Sequence, residues 1–287
     1  MNNTQKINFI KTISYFDDRF YKVEVDGFEQ YYPSVTTILG ITHKPWLAQW
    51  RGQVGNWEAD RVTEEALHKG SVIHSAIEII LAGGKVIFNP AKSPVYTQEE
   101  LEVMTQEFKC PWMVLTDQQQ HLEVWRLLKW VKTVRPKVIY SEHKVASAKH
   151  QYAGTIDGVF DIEEGSYSIS GSKALTIPAG RYIVDYKTGK NFDDDYYLQA
   201  SAYMKALEEG SGENEIAGAL IIHTNDNKIK GGIEGLKTYL RNREELETDF
   251  QDFLACKKLF DRKSTVKPKI IDLPGILSLE EELQEAV

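Results

Sequence analysis

The chain has 287 residues, 42% of them hydrophobic and 26% charged, with a formal net charge of −8. That is enough for one large domain or two small ones with a sizeable core, and it argues against overall disorder and bulk affinity for nucleic acid. No run approaches the roughly 18 apolar residues that a membrane helix needs, and Met1 to Lys11 has no apolar stretch of the kind a signal peptide carries.

Phe20 to Tyr32 alternates around Asp26-Gly27, a two-residue hairpin signal. Pro33 and Ser34 then start a helix, with Ser34 as its cap. Trp46 and Trp50 follow Lys44-Pro45. Either could be a platform on which a single-stranded base stacks, but the general burial of large aromatics favours two core tryptophans on a helix. Asn56 to Leu81 reads as one long helix or two short ones, ending before Gly83-Gly84. It carries Gly70-Ser-Val-Ile-His74-Ser-Ala-Ile-Glu78, with His74 and Glu78 on one face. A packed histidine between Ile73 and Ala76-Ile77 is the ordinary explanation of His74.

Residues 85–96, with Pro90 and Pro94, read as a loop. Thr97 to Phe108 and Asp117 to Thr133 read as helices forming an arch or lid over a site. Pro136 breaks the run, and Lys137 to Ala146 begins a sheet with Glu142 on it. Tyr152 to Asp161 is a second strand, in which Gly154 and Gly158 flank Asp157 and leave little steric cover around its carboxylate. The polar stretch from Asp161 to Arg181 reads as a mobile hairpin loop between antiparallel strands. Arg181 to Gly189 is a third strand, on which Asp185 and Lys187 share a face while Val184 and Tyr186 take the other. Asp193 to Glu209 is a helix with Gln199 and Tyr203 one turn apart. Ile216 to His223 is a buried strand closing the sheet, and Glu244 to Arg262 is a final amphipathic helix.

Two basic tracts interrupt the acidic balance. Residues 126–150 hold seven Lys/Arg against one acid, and residues 256–269 hold six against one. Such tracts suit a cleft that meets phosphate locally, though solvated helix faces give the same pattern. Cys110 and Cys256 are the only cysteines and neither has a CxxC neighbour. They can form neither a structural zinc site nor an iron–sulfur cluster, and the expected setting is the reduced cytoplasm.

An Asp and a Lys at the end of an apolar strand have a chemistry to offer: the acid holds a hard divalent cation and the lysine orients a water beside it. Taken alone, the pair is better explained as a surface ion pair at a strand end. The ordered set of His74, Glu142, Gly154-x-x-Asp157, Asp185-x-Lys187 and Gln199-x-x-x-Tyr203 resembles the RecB-like branch of the PD-(D/E)XK nuclease superfamily over about Gly70 to His223. Tyr32 to Leu39, with Lys44-Pro45-Trp46-Leu47 and Trp50, is also similar to the N-terminal region of phage-encoded members and of mitochondrial genome maintenance exonucleases.

The resemblance implies an α/β restriction-endonuclease-like core, a central mixed sheet of four or five strands flanked by helices, with an added helical N-terminal region. The expected division is residues 1–69 for the N-terminal hairpin and helices, 70–263 for the nuclease core with a helical insertion at about 97–135, and 264–287 for a peripheral tail. By the same resemblance Asp157 and Asp185 are metal ligands, joined by His74 and the carbonyl of Tyr186. Lys187 is the catalytic lysine, supported by Gln199 and Tyr203, and Glu142 is a further acidic position.

The implied activity is Mg²⁺- or Mn²⁺-dependent hydrolysis of DNA, as an exonuclease on single-stranded ends or flaps in repair or recombination. It would act in the cytoplasm, or in the host cytoplasm if phage-encoded. Its rivals are a structure-specific endonuclease and a non-catalytic DNA-binding module on the same fold.

Overall fold

The computed structural model describes residues 7–15, 18–42, 44–90, 98–171, 173–189, 191–212 and 216–263. The expected tail at 264–287, with Lys267 and Lys269 of the second basic tract, lies outside them.

In chain order the elements begin with β1 (Ile7–Tyr15), β2 (Asp18–Val25), β3 (Phe28–Pro33), α1 (Val35–Leu39), α2 (Pro45–Val54) and α3 (Asn56–Leu81). Next come β4 (Lys85–Phe88), α4 (Gln98–Phe108), β5 (Trp112–Leu115), α5 (Gln118–Val134), β6 (Lys137–Ser147) and β7 (Tyr152–Ile162). The chain continues through β8 (Gly165–Tyr167), β9 (Leu175–Ile177), β10 (Gly180–Lys187), α6 (Asp195–Ser211), β11 (Ile216–His223), β12 (Lys237–Asn242) and α7 (Arg243–Lys263).

The central sheet runs β12-β11-β10-β7-β6. Only the β10–β11 pair is parallel, so the sheet is mixed, and its parallel connection passes through α6. β11 is buried from end to end apart from Ala217, as a strand with neighbours on both edges and both faces must be. It therefore does not close the sheet; β12 does. One face packs Ile183, Tyr203, Met204, Ile221 and Phe253 beneath α1, α6 and α7. The other packs Val184, Tyr186, Leu220 and Ile222 against α3 and α5. Small residues let α6 approach closely, since Ala200, Ser201, Ala202 and Ala206 are all buried.

The N-terminal strands form a separate antiparallel sheet, β1-β2-β3. Its hairpin turns on Asp26 and Gly27, both at positive φ, which is the geometry Asp-Gly favours. Ser34 caps α1 by accepting from Thr37 N at 3.0 Å. This sheet packs Tyr21, Val23 and Tyr32 on Ala146 and Ala153, and Tyr21 and Thr155 share a hydroxyl–hydroxyl bond of 3.0 Å.

Four further expectations from the sequence need correction. The stretch 85–96 is not all loop, because β4 pairs in parallel with β5. α5 is no arch: Val124, Leu127, Trp130 and Val134 form a buried stripe at helical spacing against the sheet. The segment 162–181 is anchored rather than a free loop, since β8 pairs with β9 and both Ile169 and Ile177 are fully buried. α2 has no buried residue, and Trp46 is 54% exposed, so it is not a core tryptophan. Trp50 is half-buried.

Candidate active site

The β7–β10 ladder fixes the centre of the site. Antiparallel pairing runs from Gly180↔Ile162 to Val184↔Gly158 and stops there. Beyond that point the strands part, with Asp185 and Asp157 at the fork. The Tyr186 N–H, beyond the last backbone pair with β7, donates instead to the Asp157 side chain, at 2.7 Å from Oδ2. A backbone donor released by the fork thus orients one carboxylate, as buried amides demand a partner.

His74 comes from the other layer. α3 crosses the sheet face with Ile73, Ala76 and Ile77 buried, and this sets the imidazole edge-on to the Tyr186 ring at 5.9 Å between centroids. His74 Nδ1 lies 3.4 Å from Asp157 Oδ1 and 3.6 Å from Glu142 Oε1. Glu142 reaches it through a strained backbone. It sits inside β6 at φ 48°, a left-handed conformation that costs a glutamate on the order of 1–2 kcal/mol. Its neighbours Ser141 and His143 keep their register with Gly158 and Ile156, so the twist re-aims one side chain without breaking the strand. One ligand atom each from His74, Glu142 and Asp157 lie within 4.8 Å of one another.

Asp185 and Lys187 form the second half of the site. Lys187 Nζ lies 2.7 Å from Asp185 Oδ2, as an ion pair outside hydrogen-bond alignment, and donates to Gln199 Oε1 at 3.0 Å. The Gln199 amide donates to Asp185 Oδ1 at 3.0 Å and to the Tyr203 hydroxyl at 3.1 Å. The spacing of four on α6 therefore puts one residue on the Lys–Asp pair and the other behind it. Lys187 also sits over the Tyr196 ring, 4.5 Å from its centroid, a contact with no signal in the motif pattern.

Burial and charge set the protonation pattern. Burial disfavours the His74 imidazolium, but Asp157 and Glu142 outweigh it and push its pKa up to about 10. Burial raises Asp157 too, yet His74, Lys187 and the Tyr186 amide hold it below the usual carboxylate range. At Asp185 burial prevails over Lys187, and with repulsion from Asp157 its pKa rises to about 6. Lys187 loses to burial less than it gains from Asp185 and Asp157, so its pKa is raised and it remains an ammonium.

The donor set suits a hard divalent cation: carboxylate oxygens and one imidazole nitrogen, beside a buried Asp185 carboxylate whose Oδ2 accepts no hydrogen bond. Bound there, such an ion supplies Lewis-acid neutralisation at a phosphoryl oxygen and acidifies a nearby water.

Of the residues singled out in the sequence, His74, Glu142 and Asp157 converge at one point, and Asp185, Lys187, Gln199 and Tyr203 converge beside it. Tyr186 enters through its N–H and its ring. Glu78 faces solvent, off the site. The two glycines do other work than uncovering Asp157: a Cβ on Gly154 would strike the Tyr203 ring, and one on Gly158 would meet the Phe160 ring.

Among the described residues, three side chains of the basic tracts are engaged within the protein. Arg126 is buried and donates to the Thr224 carbonyl, Lys129 lies over the Trp125 ring, and Lys257 is bonded to Asp261. Among the described residues no helix is long and apolar enough to cross a membrane.

No curated protein matches the chain closely enough to be counted a relative. A family model does match, that of the PD-(D/E)XK nuclease superfamily, over residues 48–269. That span takes in α3, the whole central sheet and every residue of the site just described. Together with the mixed five-stranded sheet it shows that the chain belongs to the PD-(D/E)XK nuclease superfamily, a group of nucleases that use divalent metal ions.

Proposed function

We propose that the protein is a Mg²⁺- or Mn²⁺-dependent DNA exonuclease of the RecB-like branch, acting in the cytoplasm on single-stranded ends or flaps. The observation that carries the hydrolytic part is the convergence of His74, Glu142 and Asp157 within 4.8 Å, next to the Lys187–Asp185–Gln199 network. A protein that only held DNA would gain nothing from burying two carboxylates and a lysine together.

In this reading His74, Glu142, Asp157, Asp185 and the Tyr186 carbonyl hold the divalent ion. Lys187, an ammonium fixed by Asp185 and Gln199, orients the attacking water or a phosphate oxygen and offsets the charge that develops there. With its pKa raised it is no general base, so its part is electrostatic and positional. Gln199 bonds to both Lys187 and Asp185, and its amide also donates to the Tyr203 hydroxyl.

The preference for single-stranded ends rests on the resemblance in the N-terminal segment and on exposed aromatics near it. Trp46 is 54% exposed on α2, and Trp57 is 79% exposed on α3, the helix that also carries His74. Flat rings left in solvent suit unpaired bases.

The test is cleavage of end-labelled single-stranded, duplex and closed circular DNA with Mg²⁺, Mn²⁺ or EDTA, beside Asp185→Ala and Lys187→Ala. Metal-dependent release of short products from free ends, lost in both variants, is expected. Cleavage of closed circles would make the enzyme an endonuclease, and binding without cleavage in either metal would leave only a DNA-holding module.

A further inference from the structure

Behind the site lies a buried polar network that the reaction just described does not use. Its hub is Glu123 on α5, fully buried, with both carboxylate oxygens engaged. Oε1 is 2.6 Å from Lys69 Nζ and accepts from Gln119 Nε2 at 3.2 Å. Oε2 accepts from the Thr224 hydroxyl at 2.7 Å.

Thr224 follows directly on β11, and its N–H donates to the carbonyl of Lys187 at 2.9 Å. The Lys187 carbonyl is also within 3.2 Å of the Thr224 hydroxyl, but that group has one proton and the shorter contact to a carboxylate takes it. Arg126 Nη1 donates to the Thr224 carbonyl at 2.7 Å, and Gln119 donates to Asn225 Oδ1 at 3.3 Å. Asn225 in turn donates to the Thr188 carbonyl at 3.4 Å. The turn after β11 is thereby held from α5, and it holds the end of β10.

The other end of the network reaches the ligand helix. Lys69 lies on α3, five residues before His74. A buried carboxylate is costly unless its charge is met and its lone pairs are filled. Here those requirements tie three elements to one side chain: α3 through Lys69, α5 through Gln119, and the β10–β11 edge through Thr224.

We propose that Glu123 and Thr224 are positioning residues of the nuclease site. Glu123 sets α3, and with it His74, against the strand end that presents Lys187, and Thr224 transmits the constraint to the Lys187 backbone. Neither touches the reacting groups. The inference rests on the nuclease reading for its kinetic arm and on the metal-ligand cluster for its binding arm.

The experiment compares wild type with Thr224→Val, Thr224→Ser and Glu123→Gln. Readouts are turnover at saturating Mn²⁺ on end-labelled single-stranded DNA, Mn²⁺ affinity by calorimetry and Tm. Thr224→Val keeps shape and the backbone bond but loses the hydroxyl. Turnover should fall about tenfold, in the range seen when a supporting partner of a metal site is removed, with Mn²⁺ affinity within about twofold of wild type. Thr224→Ser restores the hydroxyl and should recover wild-type turnover. Glu123→Gln leaves Lys69 facing a neutral amide, and both turnover and Mn²⁺ affinity should fall about tenfold.

A lower Tm with turnover and affinity of the folded protein unchanged would overturn the proposal, because a purely structural network moves only stability. So would a Thr224→Ser variant as slow as Thr224→Val. If Glu123→Gln does not fold, the two Thr224 variants decide. If wild type cuts no DNA, the nuclease reading fails on that result alone, and the Mn²⁺ affinity of Glu123→Gln decides the positioning role: a tenfold loss supports it and no change overturns it.

Discussion

Lys187 keeps its charge in a buried place because Asp185 and Asp157 outweigh the desolvation penalty. An ammonium held in this way can stabilise developing negative charge but has no proton deficit to fill. Lys187→Ala should therefore lower turnover by at least about 100-fold, the scale of losing a fixed donor to the transition state, while metal affinity measured by calorimetry is largely kept. A variant that instead loses metal binding would make Lys187 an organiser of the ligands. On the proposed reading, the same electrostatics would govern a cation bound at this cluster. His74 holds a proton at pH 7, its pKa being pushed to about 10 by Asp157 and Glu142 against the effect of burial. A cation must displace that proton, so affinity should climb with pH, by up to about tenfold per unit while one proton is exchanged. Toward pH 6 Asp185 takes up a second proton, its pKa lying at about 6, and the loss steepens. Calorimetry from pH 6 to 9 checks the slope. His74→Ala should weaken binding yet flatten the rise between pH 7 and 9, and a flat wild-type profile would contradict the coupling.

At the scale of elements, the spacing of Gln199 and Tyr203 matters only because α6 lies so close to the sheet. Gly154 permits that approach: a Cβ there would meet the Tyr203 ring at an impossible distance. Gly154→Ala should push Tyr203 outward and loosen the Gln199 amide that links Asp185 and Lys187. Overpacking of this kind costs about 1–3 kcal/mol. Turnover should fall along with Tm, whereas Gly27→Ala, at a surface turn far along the chain, should cost stability through its positive φ and leave turnover per folded molecule alone. Urea melts and single-turnover kinetics of the two variants make the comparison.

The elements also show which signals a sequence carries openly. The Asp26-Gly27 hairpin, the Ser34 cap and the alternation around Asp185 are local, and each appears where its chemistry places it. β4 and β5 are four residues each and pair in parallel across an intervening helix, so no local pattern announces them. α5 was legible in principle, since Val124, Leu127, Trp130 and Val134 keep helical period, although the expectation from the sequence was an arch or lid. Glu142 illustrates the limit from the other side. Its place among the ligand atoms depends on a left-handed backbone inside a strand, which no propensity scale signals for glutamate.

Over the whole molecule, the net charge of −8 leaves the question of how a strand is held at all. The helical segment formed by α2 and the first half of α3 does not solve it with charge. Arg51 is paired with Asp60, and Arg61 with Glu58 and Glu65, so its guanidinium groups are met by its own acids. Among its exposed polar residues the segment also offers solvent four large apolar side chains: Trp46, Val54, Trp57 and Leu67. Trp57 and His74 are separated by seventeen residues of one continuous helix, roughly 25 Å at 1.5 Å per residue. On the proposed exonuclease reading, a strand with its end at the His74–Glu142–Asp157 cluster would lay a base on Trp57 well away from the cleaved bond. If stacking carries this contact, Trp57→Ala should weaken single-strand binding by about 1–3 kcal/mol. The loss should persist at high salt, where phosphate contacts fade. Duplex binding should change little, and unfolding stability should shift by no more than about 0.5 kcal/mol because the ring is exposed. Fluorescence anisotropy with labelled single strands across a salt series distinguishes the two contributions. A loss that vanishes as salt rises would assign the holding of the strand to charge, and Trp57 would then need another partner.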